Sequence, residues 1–127
     1  MIRKNILFTG ANGYIGSSIV NKLKNTNRLF LLSRIGGQSE KNIIHIQADI
    51  TKKGVWKNIL KNIDIIYHFA AQTSSQYANT YPSKDLKTNL MPIVDLIETC
   101  QNYHFSPDII FAGAATETGF TDRNSIN

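Results

Sequence analysis

Three glycines at a spacing of three give the first chemical signal in the sequence. Gly10, Gly13 and Gly16 lie between an apolar run, residues 5–9, and an amphipathic stretch that begins at Tyr14. At such a strand-to-helix junction, Gly10 permits a tight turn and Gly13 leaves room for a pyrophosphate to approach the backbone. Gly16 lets the helix pack closely on the sheet. The spacing therefore predicts a dinucleotide-binding turn.

The beginning of the helix after this turn is suited to hold an anion. The backbone amides of Tyr14 and Ile15 lie at the positive end of the helix dipole and can face the phosphates, and Asn12 lies inside the turn as a further contact. No Gly-Lys-Ser/Thr follows Gly10 at the spacing of a nucleotide-triphosphate loop. Dinucleotide binding is favoured, and a turn with a structural role alone is the alternative.

A second candidate contact follows the next apolar run, where the sequence reads Ser33-Arg34. An NAD site usually places a carboxylate there, whereas an NADP site places a cation against the additional phosphate. Arg34 can pair with that phosphate through two parallel hydrogen bonds, and Ser33 can donate another. NADP is therefore the preferred cofactor. NAD remains the alternative, because Arg34 can also stack on adenine without distinguishing the two.

The elements that must position these residues alternate as strands and helices. Helices are predicted over residues 14–25, over 51–62 with Thr51 as the N-cap, and over 82–103 with a bend at Pro92. Strands, mostly apolar on both faces, are predicted over residues 5–9, 28–33, 43–47, 64–69 and 108–112. This order indicates an α/β fold, a doubly wound parallel sheet of the Rossmann type with strand order 3-2-1-4-5.

Composition narrows the class of protein. A length of 127 residues suits one domain, and 42% hydrophobic with 18% charged residues excludes a disordered polyelectrolyte and a membrane protein. The lysines behind the net charge of +5 are scattered, which argues against nucleic acid and suits small anionic ligands. The single cysteine, Cys100, excludes an internal disulfide and a cysteine-based zinc site, and is predicted to be a buried thiol. We expect a cytoplasmic protein that binds no metal.

Four stretches together resemble one known family. Residues 9–16 match T-G-x-x-G-[YF]-[IL]-G, residues 49–51 match D-[LI]-T, residues 68–71 match H-x-A-A, and Asn89 begins an N-x-x-[GP]-x-x-x-[LI]-[LI]-E pattern. The chain thereby resembles the extended short-chain dehydrogenase/reductases, the NAD(P)-dependent nucleotide-sugar epimerase and dehydratase family. The matches span most of the chain.

The resemblance implies further cofactor contacts. It implies that the Asp49 carboxylate and the following amide, that of Ile50, contact adenine. It also implies that the nicotinamide ribose lies close to the end of the fourth strand, at Phe69, Ala70 and Ala71. Asn89 in the long helix is the last cofactor contact that it implies.

The catalytic pair of the resembled family is a tyrosine with a lysine four residues later, and none of the five tyrosines here has that lysine. The pair would fall beyond Asn127. We therefore expect residues 1–127 to be the N-terminal part of an NAD(P)-binding Rossmann domain without its C-terminal catalytic and substrate part, and to be inactive alone. Ala114 and Thr118 depart from the family pattern after the fifth strand, and Thr116 is the candidate hydroxyl for a catalytic role.

The sequence thus predicts the cofactor-binding part of an NADP-dependent epimerase, dehydratase or reductase that acts on a nucleotide-linked sugar. Gln72, Thr73 and Ser74, which follow the fourth strand, are candidates for a substrate loop. The alternatives are a non-catalytic NAD(P)-binding or regulatory module and a small phosphate-binding α/β protein of another kind. The resemblance also implies a homodimer formed through the long helix.

Overall fold

Five parallel strands form one sheet in the computed structural model, which describes residues 3–113. Their order is β3-β2-β1-β4-β5, so the predicted fold and strand order are confirmed. The strands are β1 Asn5–Thr9, β2 Arg28–Ser33, β3 Ile43–Gln47, β4 Ile65–His68 and β5 Asp108–Phe111. They differ from the predicted bounds by at most one residue at either end.

The register brings the carboxyl ends of the strands together along one edge of the sheet. Thr9, the last residue of β1, pairs with Leu32 on one side and with His68 on the other. Ser33, at the end of β2, pairs with Gln47 of β3. The turns that follow four different strands therefore open side by side, which is where ligands bind in open α/β sheets.

Four α-helices connect the described strands: α1 Tyr14–Leu23, α2 Ser75–Thr80, α3 Pro82–Asn89 and α4 Met91–Tyr103. Helix α1 packs on one face of the sheet, where Val20 joins Phe8 and Leu31 in a buried cluster. Helix α4 covers the opposite face through Leu96, which packs with Leu7. Helices on both faces make the sheet doubly wound, as predicted.

The helix predicted over residues 51–62 is wrong, because this stretch holds only a four-residue 3-10 turn, Val55–Asn58. Thr51 is not an N-cap: its amide and hydroxyl both donate to the Asp49 carboxylate, at 2.9 and 2.7 Å. Gly54 then adopts a φ of +81°, which interrupts right-handed helix. The apolar spacing reflects burial of Trp56, whose Nε1 donates to the Pro92 carbonyl at 3.1 Å.

The single helix predicted over residues 82–103 is also wrong, since α3 ends and α4 begins on either side of Leu90. Pro92 lies in the first turn of α4, where a missing amide costs no helical hydrogen bond. Proline here therefore begins a new helix instead of bending a continuous one. Helix α1 ends two residues earlier than predicted, and the Asn27 side chain donates to the Leu23 carbonyl at the end of the helix, at 3.3 Å.

Cys100 is only partly buried, which corrects the prediction of a buried thiol. Its partial burial in α4 still raises the pKa of the thiol above its ordinary value. At the edge of the sheet, Ile110 and Phe111 of β5 are exposed. No helix among the described residues has the length and apolar character that crossing a membrane requires.

Candidate functional site

A groove of about 650 Å³ runs along the carboxyl edge of the sheet. Seven of the residues predicted to bind a cofactor line it, and they come from the turns after β1, β2, β3 and β4. They are Gly10, Ser33, Arg34, Asp49, Ile50, Ala70 and Ala71. Residues far apart in the sequence are therefore brought into one site by the register of the parallel strands.

Gly10 lies where the first turn approaches the end of β4. Its φ is +70°, and a Cβ built on it would stand 2.7 Å from the Ala70 nitrogen. Both the backbone conformation and the space exclude any side chain at this position. The groove wall between β1 and β4 is therefore made of bare backbone.

Gly16 is buried for a different reason from the one predicted. A Cβ there would lie 2.4 Å from the Gly10 carbonyl oxygen and 3.0 Å from the Ala11 Cα. Its small size thus lets α1 begin directly against its own preceding turn, and the nearest atoms do not belong to the sheet. This contact fixes the direction in which the first helical amides point.

Helix α1 begins at Tyr14, and among residues 3–113 no side chain accepts a hydrogen bond from the amides of its first turn. A Cβ on Gly13, the N-cap residue, would meet only the Gly10 oxygen, at 3.3 Å, so the outer side of this turn is open. Tyr14 and Ile15 are 94% and 54% exposed, and Asn12 is exposed as well. These residues lie beyond the groove wall, and their contact with a diphosphate stays a prediction.

The end of the groove at β2 and β3 carries both charges. Arg34 is exposed there. Hydrogen bonds from Thr51, and to a smaller extent the charges of Lys52 and Arg34, lower the pKa of Asp49. Asp49 is therefore an acceptor held in a fixed orientation. The Ser33 hydroxyl accepts from the Gly36 amide at 3.0 Å, which leaves its own proton free to donate to a ligand.

Asn89 holds the loop after β4 and does not line the groove. Its side-chain oxygen accepts from the Gln72 amide at 2.7 Å, and its nitrogen donates to the Gln72 carbonyl at 2.8 Å and to Asp85 at 3.1 Å. All of its polar atoms are thus used inside the protein. The structure makes Asn89 a support of the groove, through Gln72, and its direct contact with a cofactor stays a prediction.

The other predicted residues near this loop are distributed as follows. The Phe69 ring packs on Tyr67 at 5.7 Å between centroids, and Phe69 does not line the groove. Gln72 lines the groove, whereas Ser74 caps α2 by accepting from the Tyr77 amide at 3.2 Å. Thr73 is exposed outside the groove wall. Thr116, Ala114 and Thr118 lie outside the described residues.

Several groove residues were missed by the sequence reasoning. Tyr77 and Thr88 come from α2 and α3, and the others adjoin predicted contacts: Thr9, Leu32, Ala48 and Thr51. Helix α2 was not predicted because it is short and polar. Its one available signal was Ser74 as an N-cap, which would have placed Tyr77 one turn into a helix beside the predicted loop.

The site can hold an extended anionic ligand with an aromatic base. It combines bare glycine backbone, an open helix N-terminus, a cation and a carboxylate held in a fixed orientation. Among residues 3–113 there is no group of three His, Cys, Asp or Glu side chains placed to hold a metal ion.

Comparison with known proteins agrees with this geometry. The sequence profile of the NAD dependent epimerase/dehydratase family matches residues 6–125. A dTDP-D-glucose 4,6-dehydratase from Dictyostelium discoideum is 29% identical over 143 aligned residues, which cover 96% of this chain and 33% of that protein. The chain thus spans about a third of the length of this relative.

Two solved structures show the same fold. One is a UDP-N-acetylglucosamine 4-epimerase from Methanobrevibacter ruminantium M1 in complex with UDP-N-acetylmuramic acid, with a TM-score of 0.83 and 24% identity, covering 100% of this chain and 43% of the other. The second is a mutant uronate dehydrogenase from Agrobacterium tumefaciens complexed with NAD, with a TM-score of 0.74 and 21% identity, covering 89% and 42%.

Proposed function

The chain belongs to the NAD dependent epimerase/dehydratase family, and from this premise we propose that it binds a nicotinamide dinucleotide, NADP in preference to NAD, for an enzyme that acts on nucleotide sugars. One observation carries the proposal. The backbone at Gly10 approaches Ala70 so closely that a Cβ would stand 2.7 Å from its nitrogen, directly before a helix N-terminus that no described side chain caps. Such bare backbone suits a diphosphate bridge.

The two ends of the groove suit the two halves of such a cofactor. At one end, the Asp49 carboxylate and the Ile50 amide offer hydrogen bonds to adenine. At the other, Ala70 and Ala71 leave space beside the end of β4 for the nicotinamide ribose. When bound, the nicotinamide supplies hydride exchange with a carbon of the substrate.

Preference for NADP rests on Arg34. It is exposed in the groove next to a serine hydroxyl with a free proton, and the described turn has no carboxylate within the two residues after β2. A guanidinium can pair with the 2′-phosphate of NADP through two charge-assisted hydrogen bonds, whereas the ribose hydroxyls of NAD offer it only neutral acceptors. Charge-assisted pairs of this kind contribute about 1.5–3 kcal/mol, or roughly 10- to 100-fold in affinity.

The substrate class is supported by what the relatives are named for, a dTDP-glucose dehydratase and a UDP-sugar epimerase. None of the tyrosines in this chain has a lysine four residues later, so we assign to it cofactor binding and not the proton transfer. Alone, the 127-residue chain is expected to bind dinucleotide and to leave nucleotide sugars unchanged.

Fluorescence titrations of NADPH and NADH test the proposal. We expect wild type to bind NADPH at least about tenfold more tightly than NADH. Arg34→Asp should remove that preference. Lys41→Asp is the control and should keep the preference, because it makes the same change of charge at the opposite edge of the sheet. Equal affinities of wild type for the two dinucleotides would contradict the role of Arg34, and binding of neither would contradict the function.

A further inference from the structure

The hydroxyl of Thr9 has three polar neighbours inside the protein. Thr9 is 1% exposed at the end of β1. Its Oγ1 lies 3.2 Å from the Phe69 amide nitrogen, 3.1 Å from the Ala70 amide nitrogen and 3.0 Å from Nδ1 of His68. A threonine hydroxyl offers one proton and two lone pairs, so its full capacity is used by these three groups.

The roles of the three partners follow from the chemistry of each. Both backbone amides can only donate, and they occupy the two lone pairs of Oγ1. The remaining group on Thr9 is its proton, which must point to Nδ1 of His68. Nδ1 is therefore an acceptor, and in a neutral imidazole the proton then lies on Nε2. A proton on Nδ1 would require Oγ1 to accept a third hydrogen bond.

The surroundings of His68 favour a neutral imidazole over a charged one. His68 is 5% exposed, and its ring lies edge-on to Trp56 and to Phe111, at 6.3 and 5.8 Å between centroids. Thr9, Trp56 and Phe111 face the ring from β1, the 3-10 turn and β5, and none of them titrates. Burial alone lowers the pKa of His68. Nε2 has no hydrogen-bond partner among residues 3–113.

The hydrogen bonds of Thr9 hold the part of the groove wall where the backbone at Gly10 approaches Ala70. The Phe69 amide is shared between the Thr9 carbonyl, at 3.1 Å, and Oγ1, whereas the Ala70 amide donates to Oγ1. Ala70 is the residue whose nitrogen would lie 2.7 Å from a Cβ on Gly10. Thr9, Gly10 and Ala70 all line the groove, so a change at the hydroxyl alters the wall directly.

We propose that His68, neutral and protonated on Nε2, is a positioning residue that acts through the Thr9 hydroxyl and keeps the Ala70 backbone against Gly10. The effect on ligand binding rests on the proposed function, whereas the position of the proton does not. A proton on Nδ1 would face the hydroxyl proton of Thr9, which must then turn away and give up an amide. The groove is therefore expected to loosen as His68 takes up a proton.

The position of the proton is measured directly by long-range ¹H–¹⁵N spectra of the imidazole nitrogens in the wild-type chain. We expect the pattern of the Nε2–H tautomer for His68 at pH 7.5, with the exposed His104 as reference in the same spectrum. Thr9→Val should remove the preference for that tautomer. A signal showing the proton on Nδ1, or a charged His68 at pH 7.5, would overturn the assignment.

The positioning role is tested by NADPH titrations of matched variants between pH 7.5 and 5.5. Thr9→Val should weaken binding at least about tenfold, and Thr9→Ser, which keeps the hydroxyl, should restore most of it. Wild-type affinity should fall at least about threefold toward pH 5.5. His68→Asn, whose amide oxygen can accept from Thr9 without titrating, should keep only the part of that pH dependence that comes from protonation of the cofactor's 2′-phosphate.

The outcomes separate the two proposals. If Thr9→Val keeps its fold by circular dichroism and binds NADPH as wild type does, the positioning role is refuted. The same holds if His68→Asn shows the full pH dependence of the wild type. If wild type binds neither dinucleotide at any pH, the proposed function fails, and the imidazole spectra then decide the Thr9–His68 assignment by themselves.

Discussion

Alanine substitutions at Gly13 and Gly16, on either side of the start of α1, should impair different properties, because the space around the two glycines differs. A Cβ on Gly16 would stand 2.4 Å from the Gly10 carbonyl oxygen, whereas a Cβ on Gly13 would meet that oxygen at 3.3 Å and nothing else. Both changes add one methyl group. The comparison therefore separates the packing of the turn from access to its outer side.

For Gly16→Ala the cost falls on folding. Ordinary contact begins near 3.4 Å, so α1 or the turn must move by about 1 Å. The atom in the way belongs to the backbone and cannot rotate aside. Overpacking of this kind costs about 1–3 kcal/mol. At about 4 °C per kcal/mol for a chain of this size, the Tm should fall by roughly 4–12 °C.

For Gly13→Ala the cost falls on binding. Gly13 has a φ of −71°, which alanine adopts freely, and the loss of chain entropy in the unfolded state offsets the poorer N-cap. The free energy of unfolding should therefore change by less than about 1 kcal/mol. The methyl group projects on the open side of the turn, where the diphosphate is proposed to lie. We expect NADPH affinity to fall at least about tenfold.

Thermal unfolding followed by circular dichroism and NADPH fluorescence titration would measure both effects on the same samples. We expect Gly13→Ala to be stable but to bind NADPH weakly, and Gly16→Ala to be destabilised. Undiminished NADPH binding by Gly13→Ala would refute the placement of the diphosphate at this turn. A Gly16→Ala with the wild-type Tm would show that the turn is looser than its contacts indicate.

Two further changes address the support of the groove. Asn89→Ala leaves the Gln72 amide and carbonyl without their side-chain partner, so urea denaturation should show a loss of about 1–3 kcal/mol, against less than about 0.5 kcal/mol for the exposed Asn79→Ala. Burial lowers the pKa of His68 below its ordinary value of 6.5, so the unfolded chain takes up that proton first. The contribution of neutral His68 to the free energy of unfolding should thus be fully present above pH 6.5 and be lost as the pH drops toward the lower pKa of the folded state. Urea denaturation at each pH should show a smaller decline for His68→Asn than for the wild type.

The strands were predictable because their signal is local. In β1 and β2, every residue between the two polar strand ends is apolar, as burial on both faces of a sheet requires, and turn residues bound each run. Glycine spacing then located the first turn. Because the strands are parallel, their carboxyl ends must meet at one edge of the sheet. Most groove residues could therefore be named from the sequence.

The helices were less predictable because apolar spacing does not distinguish a helix from a short turn with a buried side chain. Trp56 is buried at a spacing that suits a helix. A helix does not form there, because Thr51 donates to the Asp49 carboxylate and Gly54 adopts a left-handed conformation. Pro92 was ambiguous for a similar reason. Proline bends a helix from within and also begins one, and only the backbone at Leu90 decides between these cases.

The role of Asn89 shows why contacts within a site are harder to predict than its location. Its position in the sequence is compatible with touching a ligand or with holding the loop that does. In the structure, its amide pairs with both polar backbone atoms of Gln72. The Thr9 hydroxyl holds Phe69 and Ala70 in the same way. The loop after β4 is thus fixed from both sides by side chains that satisfy its backbone, so perturbing either support should shift this loop and weaken ligand binding.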